Sequence, residues 1–214
     1  MNSTISAIRK EYKLQELDEQ NVLQDPVKQF EKWWQDVLNS NIDEVNAMTL
    51  ATVGSAGTPS ARIVLLKGID EKGFLFFTNY ESQKGKALKE NPSACLVFFW
   101  KELERQVRVE GIVEKLPGEE SDEYFNSRPE GSRIGAWASP QSQVIPSREI
   151  LEENFVGLSM KFTGQNIERP PHWGGYILKP SMVEFWQGRP NRMHDRIQYT
   201  MVEGKTWKIQ RLAP

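Results

Sequence analysis

The sequence predicts a mainly β fold, an antiparallel barrel or sandwich with helices at its periphery. Three observations support this fold class. Many short runs of residues carry the apolar and β-branched side chains that are typical of strands. The Gly-containing segment 54–57 lies between two such runs, as expected for a hairpin. Segments with apolar residues at helical spacing are inserted between the runs, which favours helices outside the sheet.

The first elements are an N-terminal arm and a helix. Residues 1–24 are polar and weakly patterned, and we interpret them as an arm ahead of a single domain over 25–214. Asp25 followed by Pro26 predicts a helix start, because Asp is a favoured N-cap and Pro fits the first helical position. The apolar residues that follow at helical spacing predict one buried face: Val27, Phe30, Trp33, Trp34, Val37 and Leu38.

The remaining elements alternate between predicted strands and helices. Strands are predicted over 47–53, 60–67, 73–78, 94–100, 105–116, 174–178, 182–186, 197–202 and 207–212. Helices are predicted over 82–90, 119–127, 133–139 and 147–162, with Ser82 and Ser147 as N-caps of the first and last. The last helix is expected to turn Ile150, Leu151, Phe155, Leu158 and Phe162 inward.

Composition excludes several classes of protein and site. The chain has 214 residues and a net charge of -2, which gives no whole-molecule argument for binding nucleic acid or an anionic membrane. One cysteine, Cys95, cannot form an intrachain disulfide, and one Cys with two His excludes Cys-rich zinc sites. No signal-peptide core or membrane span of roughly 20 apolar residues is present, so a cytoplasmic protein is expected.

Several common catalytic motifs are absent. The sequence contains no G-x-G-x-x-G, G-x-x-x-x-G-K-[ST], H-E-x-x-H or G-x-S-x-G. A Rossmann dinucleotide site, a P-loop, a zincin and an ordinary serine hydrolase are therefore disfavoured.

Groups that bind phosphate recur at predicted strand ends and helix starts. Arg62 and Lys67 bracket an apolar strand, and Ser82 and Lys84 open a helix, where backbone N–H groups favour anions. Arg128, Ser132 and Arg133 form another cluster, with Tyr124 one helical turn earlier. Each cluster alone is typical of surface charge. Together they favour one or two small phosphorylated ligands over a polyanion.

The stretch 184–196 is the densest group of candidate catalytic residues. A strand-like run ends at Gly188 and Pro190, and the following loop carries Arg192 and His194 two positions apart. Residues at this spacing in an extended chain point to the same side. Two cationic donors there suit an anionic or electron-rich ligand, although spacing alone fits a salt-bridged hairpin tip equally well.

Seven short segments carry a family resemblance, and they occur in the order typical of that family. These segments are RIVLLK at 62–67, FFTN at 76–79, ERQV at 104–107, YFNSRP at 124–129, IGAW at 134–137, FWQG at 185–188 and NRMHDR at 191–196. Together with the terminal RLAP at 211–214, they resemble pyridoxine 5′-phosphate oxidase (pyridoxamine 5′-phosphate oxidase). The resemblance extends from about Arg9 to the last residue.

The resemblance implies an FMN-binding split barrel, a six-stranded antiparallel barrel of Greek-key type, in a homodimer with FMN at its interface. The implied reaction is oxidation of pyridoxine 5′-phosphate or pyridoxamine 5′-phosphate to pyridoxal 5′-phosphate. Hydride would pass from C4′ to flavin N5, with dioxygen as acceptor and hydrogen peroxide as product. Neither a metal nor a nucleic-acid or membrane partner is expected.

The family's functional positions map onto this chain residue by residue. Positions that bind FMN correspond to Arg62, Ile63, Val64, Leu65, Leu66, Lys67, Phe77, Thr78, Gln83, Lys84, Gln106, Gln141, Ser142, Trp186 and Arg196. Positions that bind the substrate correspond to Arg9, Lys10, Glu11, Tyr12, Lys67, Tyr124, Arg128, Ser132, Arg192, Met193 and His194. The first four lie in a segment of the arm that can close over the site as a lid. Arg192 and His194 are the implied catalytic pair.

One departure from the family pattern leaves alternatives open. Gln83 stands where many members have Arg, which removes one charge directed at phosphate. A flavin- or vitamer-binding module without turnover is therefore kept as an alternative. A split-barrel flavin reductase acting on another substrate is a second alternative. The role of His194, as a positioning group or in proton movement, stays open as well.

Overall fold

The computed structural model describes residues 10–203 and 206–214. Within them lie five α-helices: α1 Pro26–Leu38, α2 Gln83–Glu90, α3 Gly118–Ser127, α4 Glu130–Ala138 and α5 Glu149–Phe162. The strands are β1 Ala47–Val53, β2 Pro59–Leu65, β3 Gly68–Asp70, β4 Gly73–Asn79, β5 Ser93–Trp100, β6 Arg105–Lys115, β7 Trp173–Gln187, β8 Asp195–Val202 and β9 Thr206–Arg211. Short 3₁₀ turns cover Lys101–Leu103 and Pro190–Arg192.

These strands form one sheet in the order β2-β1-β5-β6-β7-β4-β3, and β8 pairs with both β7 and β9. The pairs β3–β4, β4–β7, β7–β8 and β8–β9 are antiparallel. The predicted mainly antiparallel β fold with helices outside the sheet is confirmed. The described residues contain nine strands, three more than the six of the expected barrel.

The chain divides into two compact units. The first contains the described residues up to Thr49, then Cys95–Glu110, then those from Pro180 to the end. The second contains Leu50–Ala94 and Gly111–Lys179. The boundaries fall inside β1, β5, β6 and β7. The assignment of one domain over 25–214 stays a prediction.

In the first unit, helix α1 begins as its sequence predicts. The Asp25 carboxylate accepts hydrogen bonds from the backbone N–H groups of Val27 at 2.7 Å and Lys28 at 3.2 Å, and Pro26 is the first helical residue. The apolar stripe is buried at Val27, Phe30, Trp33 and Val37. Its end differs from the prediction, since the Leu38 side chain is 52% exposed at the last turn.

In the second unit, β4 pairs with the first half of β7, from Phe74 opposite Leu178 to Asn79 opposite Trp173. Helix α2 begins at the predicted cap, because the Ser82 hydroxyl accepts from the backbone N–H of Gly85 at 3.3 Å. A separate core cluster joins helices α3 and α4 to the sheet through four buried residues: Phe125, Ile134, Ile167 and Trp173.

Three further local predictions differ from the structure. Strand β7 is continuous, whereas two strands were predicted on either side of Lys179-Pro180. Its pairing with β4 ends at Leu178 and its pairing with β8 begins at Met182. Pro180 therefore lies between the two paired segments, where neither of these ladders requires its missing N–H.

The other two errors concern β3 and α5. Strand β3, only three residues long, was not predicted. Helix α5 has Arg148 rather than Ser147 at its N-cap position, without a side-chain cap. Its predicted inward face is covered only in part: Leu158 and Phe162 are partly buried against the core cluster, whereas Phe155 is 38% exposed.

Candidate functional site

The second unit contains an open cavity of about 690 Å³ that we call the cationic pocket. Its lining residues are Arg62, Ile63, Val64, Leu65, Lys67, Phe77, Thr78, Lys84, Tyr124, Arg128, Pro129, Ser132, Gln141 and Trp173. Four of these side chains are cationic and none is a carboxylate. The pocket is therefore suited to an anion.

Arg62 is held in the pocket by the strands beneath it. Its Nη1 donates to the Leu50 carbonyl at 3.1 Å and to the Thr52 hydroxyl at 2.9 Å. Its Nη2 donates to the Ser60 hydroxyl at 2.6 Å. Burial lowers the pKa of the Arg62 guanidinium. These uncharged acceptors orient the guanidinium but leave its charge uncompensated.

Lys84 is the second cation held by uncharged partners. Its ammonium, on the first turn of α2, donates to Gln141 Oε1 at 3.0 Å, an atom that also accepts from the Thr78 hydroxyl at 3.2 Å. Burial, and then the charge of Arg62, lower the pKa of Lys84. A phosphate in the pocket would offset both effects, because it would supply the missing negative charge.

Arg128 carries an unsatisfied donor. Its guanidinium lies over the Trp173 ring, 4.6 Å from the centroid, and burial lowers the pKa of Arg128. Its Nη1 atom is buried and has no hydrogen-bond partner among the described residues. Buried donors are nearly always paired in native proteins, so a ligand oxygen is the expected partner.

Flat aromatic side chains stack beside Arg128. Phe77 and Tyr124 have ring centroids 3.9 Å apart with planes 22° apart, and Phe77 stacks on Trp173 at 5.6 Å. This stack fixes the position of the Tyr124 ring at the pocket and provides flat apolar surface beside the cations.

Most of the residues predicted to bind FMN or the substrate phosphate come together in this pocket. Of the predicted set, Arg62 to Leu65, Lys67, Phe77, Thr78, Lys84, Tyr124, Arg128, Ser132 and Gln141 line it. Three predicted residues are not among the lining residues. Leu66, directly after β2, is buried, Gln83 is exposed at the start of α2, and Ser142 follows Gln141 with a φ of 71°. Sequence reasoning missed Pro129 and Trp173, although Pro129 stands inside one of the quoted motifs.

The first unit contains a second cavity, of about 700 Å³, that we call the Arg192 pocket. Lys10, Glu11, Tyr12, Arg189, Asn191, Arg192 and His194 line it. Asn191 and Arg192 have φ values of 55° and 61° in the turn after β7. Positive φ is strained for an arginine, and such strain is concentrated at functional sites.

His194 is fixed in one tautomer. Its Nδ1 atom accepts a hydrogen bond from the backbone N–H of Arg189 at 3.0 Å, so the neutral ring carries its proton on Nε2. Burial and then the charge of Arg192 lower the pKa of His194, against a smaller opposite effect of Asp195. The imidazole is therefore neutral near pH 7 and offers Nε2–H as a donor.

Two predicted flavin contacts and a predicted lid residue also lie in the first unit. Trp186 packs against His194, with ring centroids 4.7 Å apart, and against Tyr12 at 5.8 Å. Arg196 donates through Nε to Glu184 Oε1 at 2.7 Å and through Nη1 to the Ala213 carbonyl at 2.8 Å.

Burial alone raises the pKa of Glu184, but hydrogen bonds from Arg196 and Arg108 outweigh it, so the pKa is lowered. This buried carboxylate therefore stays ionised and holds Arg196 in place.

The other predicted residues are placed as follows. Lys10, Glu11 and Tyr12 line the Arg192 pocket, whereas Met193 is 68% exposed and is not among the lining residues. Gln106 is half-buried on β6. Arg9 lies outside the described residues. Arg189 and Asn191 line the pocket but were not predicted, because nothing in their spacing distinguishes them from an ordinary turn.

Within residues 10–203 and 206–214, no group of three or more His, Cys, Asp or Glu side chains could hold a metal ion. In the same part of the chain, no helix is long and apolar enough to cross a membrane.

Comparison with known proteins identifies the family. A sequence profile described as pyridoxamine 5′-phosphate oxidase matches residues 35–161. The chain belongs to the pyridoxine/pyridoxamine 5′-phosphate oxidase family. A second profile, described as the C-terminal dimerisation region of pyridoxine 5′-phosphate oxidase, matches residues 173–214. The expected family and the expectation of an oxidoreductase are thus confirmed.

Full-length relatives in this family agree. A pyridoxine/pyridoxamine 5′-phosphate oxidase from Salinibacter ruber is 54% identical over 99% of this chain and 100% of its own length. One from Burkholderia thailandensis is 56% identical with the same coverage.

Solved structures share the fold. PhzG from Burkholderia lata, solved with tetrahydrophenazine-1-carboxylic acid, is 28% identical, with a TM-score of 0.89 over 96% of this chain and 100% of that chain. A pyridoxamine 5′-phosphate oxidase-related, FMN-binding protein from Nostoc punctiforme has a TM-score of 0.70 at 18% identity, over 86% of this chain and 97% of its own. The expected split-barrel fold of the oxidase family is confirmed.

Proposed function

We propose that the protein is an FMN-dependent oxidase that converts pyridoxine 5′-phosphate and pyridoxamine 5′-phosphate to pyridoxal 5′-phosphate. Dioxygen is the electron acceptor and hydrogen peroxide the product, and the amine substrate also releases ammonia. The observation that carries this proposal is the cationic pocket, where four cations, hydroxyl groups and stacked aromatic rings meet without a carboxylate among the described lining residues. Family membership supports the same reaction.

The residues of the cationic pocket fit FMN and a second phosphate. We assign Arg62, Lys84 and Thr78 to the FMN phosphate, because Thr78 and Lys84 donate to the same atom, Gln141 Oε1, and burial lowers the pKa values of Arg62 and Lys84. When bound, FMN supplies an N5 atom that accepts hydride from substrate C4′, and it returns the electrons to dioxygen.

Lys67, Tyr124, Arg128 and Ser132 are assigned to the substrate phosphate. The unpartnered Nη1 of Arg128 supports this assignment, because a phosphate oxygen would satisfy it. Holding the phosphate at one end fixes the distance of the reacting carbon from its acceptor, which lowers the entropic cost of reaching the reactive geometry.

Arg192 and His194 are assigned to the pyridine ring of the substrate. The Nε2–H group of His194 donates to an electron-rich ring substituent, since Nδ1 is already engaged by Arg189. The guanidinium of Arg192 orients the ring and stabilises charge that develops on it. Lys10, Glu11 and Tyr12, from the arm that we propose acts as a lid, line the same pocket and exclude water.

We further propose that the enzyme is a homodimer with FMN at the interface and both protomers contributing to its site. The match of residues 173–214 to a dimerisation region supports this assembly. Trp186 and Arg196, which we assign to FMN, lie in that matched segment.

Similarity to PhzG favours a second candidate. That protein binds a tricyclic acid, so oxidation of a reduced compound without a phosphate is the rival activity. The two candidates differ in their use of Arg128 and Lys67, because only a phosphorylated substrate needs two cations in addition to those assigned to FMN.

The test is turnover by purified, FMN-saturated protein. The oxidase should form pyridoxal 5′-phosphate and peroxide in equal amounts from pyridoxine 5′-phosphate, and should not act on unphosphorylated pyridoxine at comparable concentration. A sample that binds FMN tightly but forms no product from either vitamer phosphate would instead be a binding module. Preferential oxidation of unphosphorylated reduced compounds would favour the PhzG-like activity.

A further inference from the structure

We propose that Glu104 is a positioning residue, which holds the arm segment Lys10–Leu14 on the Arg192 pocket and thereby fixes the ring of Tyr12 at that pocket. The proposal rests on the proposed function only where it assigns the pocket to the substrate ring. The attachment of the arm is a separate claim that can be measured without any substrate.

The backbone of Glu104 is itself firmly held. The residue follows the 3₁₀ turn Lys101–Leu103 with a φ of 55°, and its N–H donates to the Lys101 carbonyl at 3.2 Å. Its carbonyl accepts from the backbone N–H of Gly188 at 2.8 Å and from Gln187 Nε2 at 3.2 Å. The direction of the Glu104 side chain is therefore set by the end of β7 and by this turn.

The Glu104 carboxylate is buried and receives three donors from one short segment of the arm. Its Oε2 atom accepts from the backbone N–H groups of Lys13 at 2.9 Å and Leu14 at 3.2 Å. Its Oε1 atom lies 3.3 Å from the ammonium of Lys10. Only 3% of the carboxylate side chain is exposed, whereas that of Lys10 is 54% exposed.

The segment Lys10–Leu14 depends on these contacts because it has no regular structure of its own. The next part of the arm, residues 15–19, is held by other side chains: Arg105, Arg189, Asp195 and Arg211. Residues 10–18 belong to no helix or strand, so the N–H groups of Lys13 and Leu14 are satisfied by a side chain rather than by a ladder. A charged acceptor makes stronger hydrogen bonds than a neutral one. Glu104 is therefore suited to hold this segment in one conformation.

The position of Tyr12 follows from the same arrangement. Its ring lies over Gly188, where an added Cβ would come 2.7 Å from Tyr12 Cγ and 3.0 Å from Glu104 Cβ. The ring edge meets Trp186 at 5.8 Å and His194 at 5.9 Å between centroids. Gly188 leaves the space that Tyr12 occupies. Glu104 holds the chain on both sides of Tyr12, through Lys10 before it and through Lys13 and Leu14 after it.

The consequence for the reaction is specific. Without Glu104, the arm samples conformations in which Tyr12 leaves the pocket. Substrate binding must then order the arm, and this loss of conformational entropy weakens the binding. Weaker substrate binding raises KM more than it lowers kcat. FMN affinity is expected to be unchanged, because the hydrogen-bond and ion-pair partners of the Glu104 carboxylate among the described residues are Lys10, Lys13 and Leu14, none of which is assigned to FMN.

The experiment compares Glu104→Ala with wild type and with Glu102→Gln, which removes the same charge from an exposed residue of the adjacent turn. Hydrogen exchange of peptides covering residues 10–16 is measured by mass spectrometry on the FMN-loaded protein, without substrate. Glu104→Ala should exchange faster there, and Glu102→Gln should match wild type. Unchanged exchange in Glu104→Ala would overturn the proposed attachment.

Kinetics of the same variants test the link to substrate. Glu104→Ala should raise KM for pyridoxine 5′-phosphate about tenfold, with a smaller change in kcat and an unchanged Kd for FMN. Faster exchange with an unchanged KM, or a loss confined to kcat, would overturn the positioning role. If wild type shows no oxidase activity, the proposed function fails while the exchange result still decides whether Glu104 holds the arm.

Gly188→Ala provides an independent route if Glu104→Ala does not fold. The added Cβ should displace the Tyr12 ring without removing any charge. It should raise KM in the same direction and leave FMN affinity unchanged. A Gly188→Ala enzyme with the wild-type KM would show that the position of Tyr12 does not matter for substrate binding, which contradicts the proposal.

Discussion

The backbone N–H of Arg189 donates to Nδ1 of His194 at 3.0 Å, five residues apart across the turn that follows β7. This bond leaves Nε2–H of His194 as the donor that can reach a ligand in the Arg192 pocket. It also opposes protonation, because the imidazolium has no lone pair on Nδ1 to accept from Arg189.

The pH dependence of His194 follows from this bond. Its pKa is lowered below the ordinary value of 6.5 by burial and by Arg192. At neutral pH His194 is already neutral, so kcat/KM should not change with pH through this residue there, and it should fall as the pH drops through the lowered pKa.

Between that pKa and 6.5 the unfolded chain binds more protons than the folded one, so the free energy of unfolding rises with pH there.

A His194→Asn variant separates this effect from titration of the substrate phosphate. Asn retains an acceptor for the Arg189 N–H but cannot titrate. At neutral pH its kcat/KM should be about tenfold to hundredfold lower than that of wild type, since one ligand hydrogen bond is lost. The ratio of wild-type to variant kcat/KM should be constant at neutral pH and should fall at acid pH, where His194 of the wild type becomes protonated. A ratio that is constant across the whole range would show that His194 does not titrate in the active enzyme.

Arg128→Ala should weaken binding of phosphorylated substrate. A hydrogen bond to a charged group contributes about 1.5–3 kcal/mol, so KM for pyridoxine 5′-phosphate should rise about tenfold to hundredfold. Steady-state kinetics measure this effect, with Arg148→Ala as the control because the Arg148 side chain is 86% exposed. Equal KM values in the two variants would remove Arg128 from the phosphate site.

Gln83→Arg should tighten FMN binding. Gln83 is the exposed first residue of α2, directly before Lys84, where a guanidinium can reach a phosphate at the helix N-terminus. Titration of FMN into apoprotein should give a Kd about tenfold lower. Gln83→Lys should gain less, because it lacks the planar fork. An unchanged Kd in Gln83→Arg would refute a role for this position in flavin affinity.

Asp25→Ala tests the N-cap of α1 separately from the site. Loss of the cap should lower the free energy of unfolding by about 1 kcal/mol, measured by denaturant titration. Gln24→Ala, at an exposed neighbouring residue, should have little effect. FMN binding should be the same in both variants. Equal stability of the two would show that the Asp25 hydrogen bonds do not contribute.

Local sequence signals predicted much of the fold. Asp25-Pro26 and Ser82 predicted the starts of α1 and α2, because capping depends on residues that are adjacent in the chain. Two separate strands were predicted in place of β7, and this was wrong because the gap between them falls where one pairing partner is replaced by the next. That exchange of partners depends on the whole sheet and is not encoded in local spacing.

The candidate site was predictable where it follows family motifs and not where it depends on distant contacts. Charge and hydroxyl clusters indicated Arg62, Lys84 and Arg128, which the structure brings to one pocket. Glu104 stood inside a quoted motif, but its role depends on amides of Lys13 and Leu14, about ninety residues away. No periodicity relates residues at such a separation.

Anaerobic reduction of the bound flavin tests the central claim most directly. FMN-loaded protein is mixed with one equivalent of pyridoxine 5′-phosphate without oxygen, and the visible flavin absorbance is followed. The absorbance should bleach, return on admission of air, and leave pyridoxal 5′-phosphate in the protein-free supernatant. Flavin that stays oxidised with the phosphorylated vitamer would contradict the assignment of this chain as a pyridoxine 5′-phosphate oxidase.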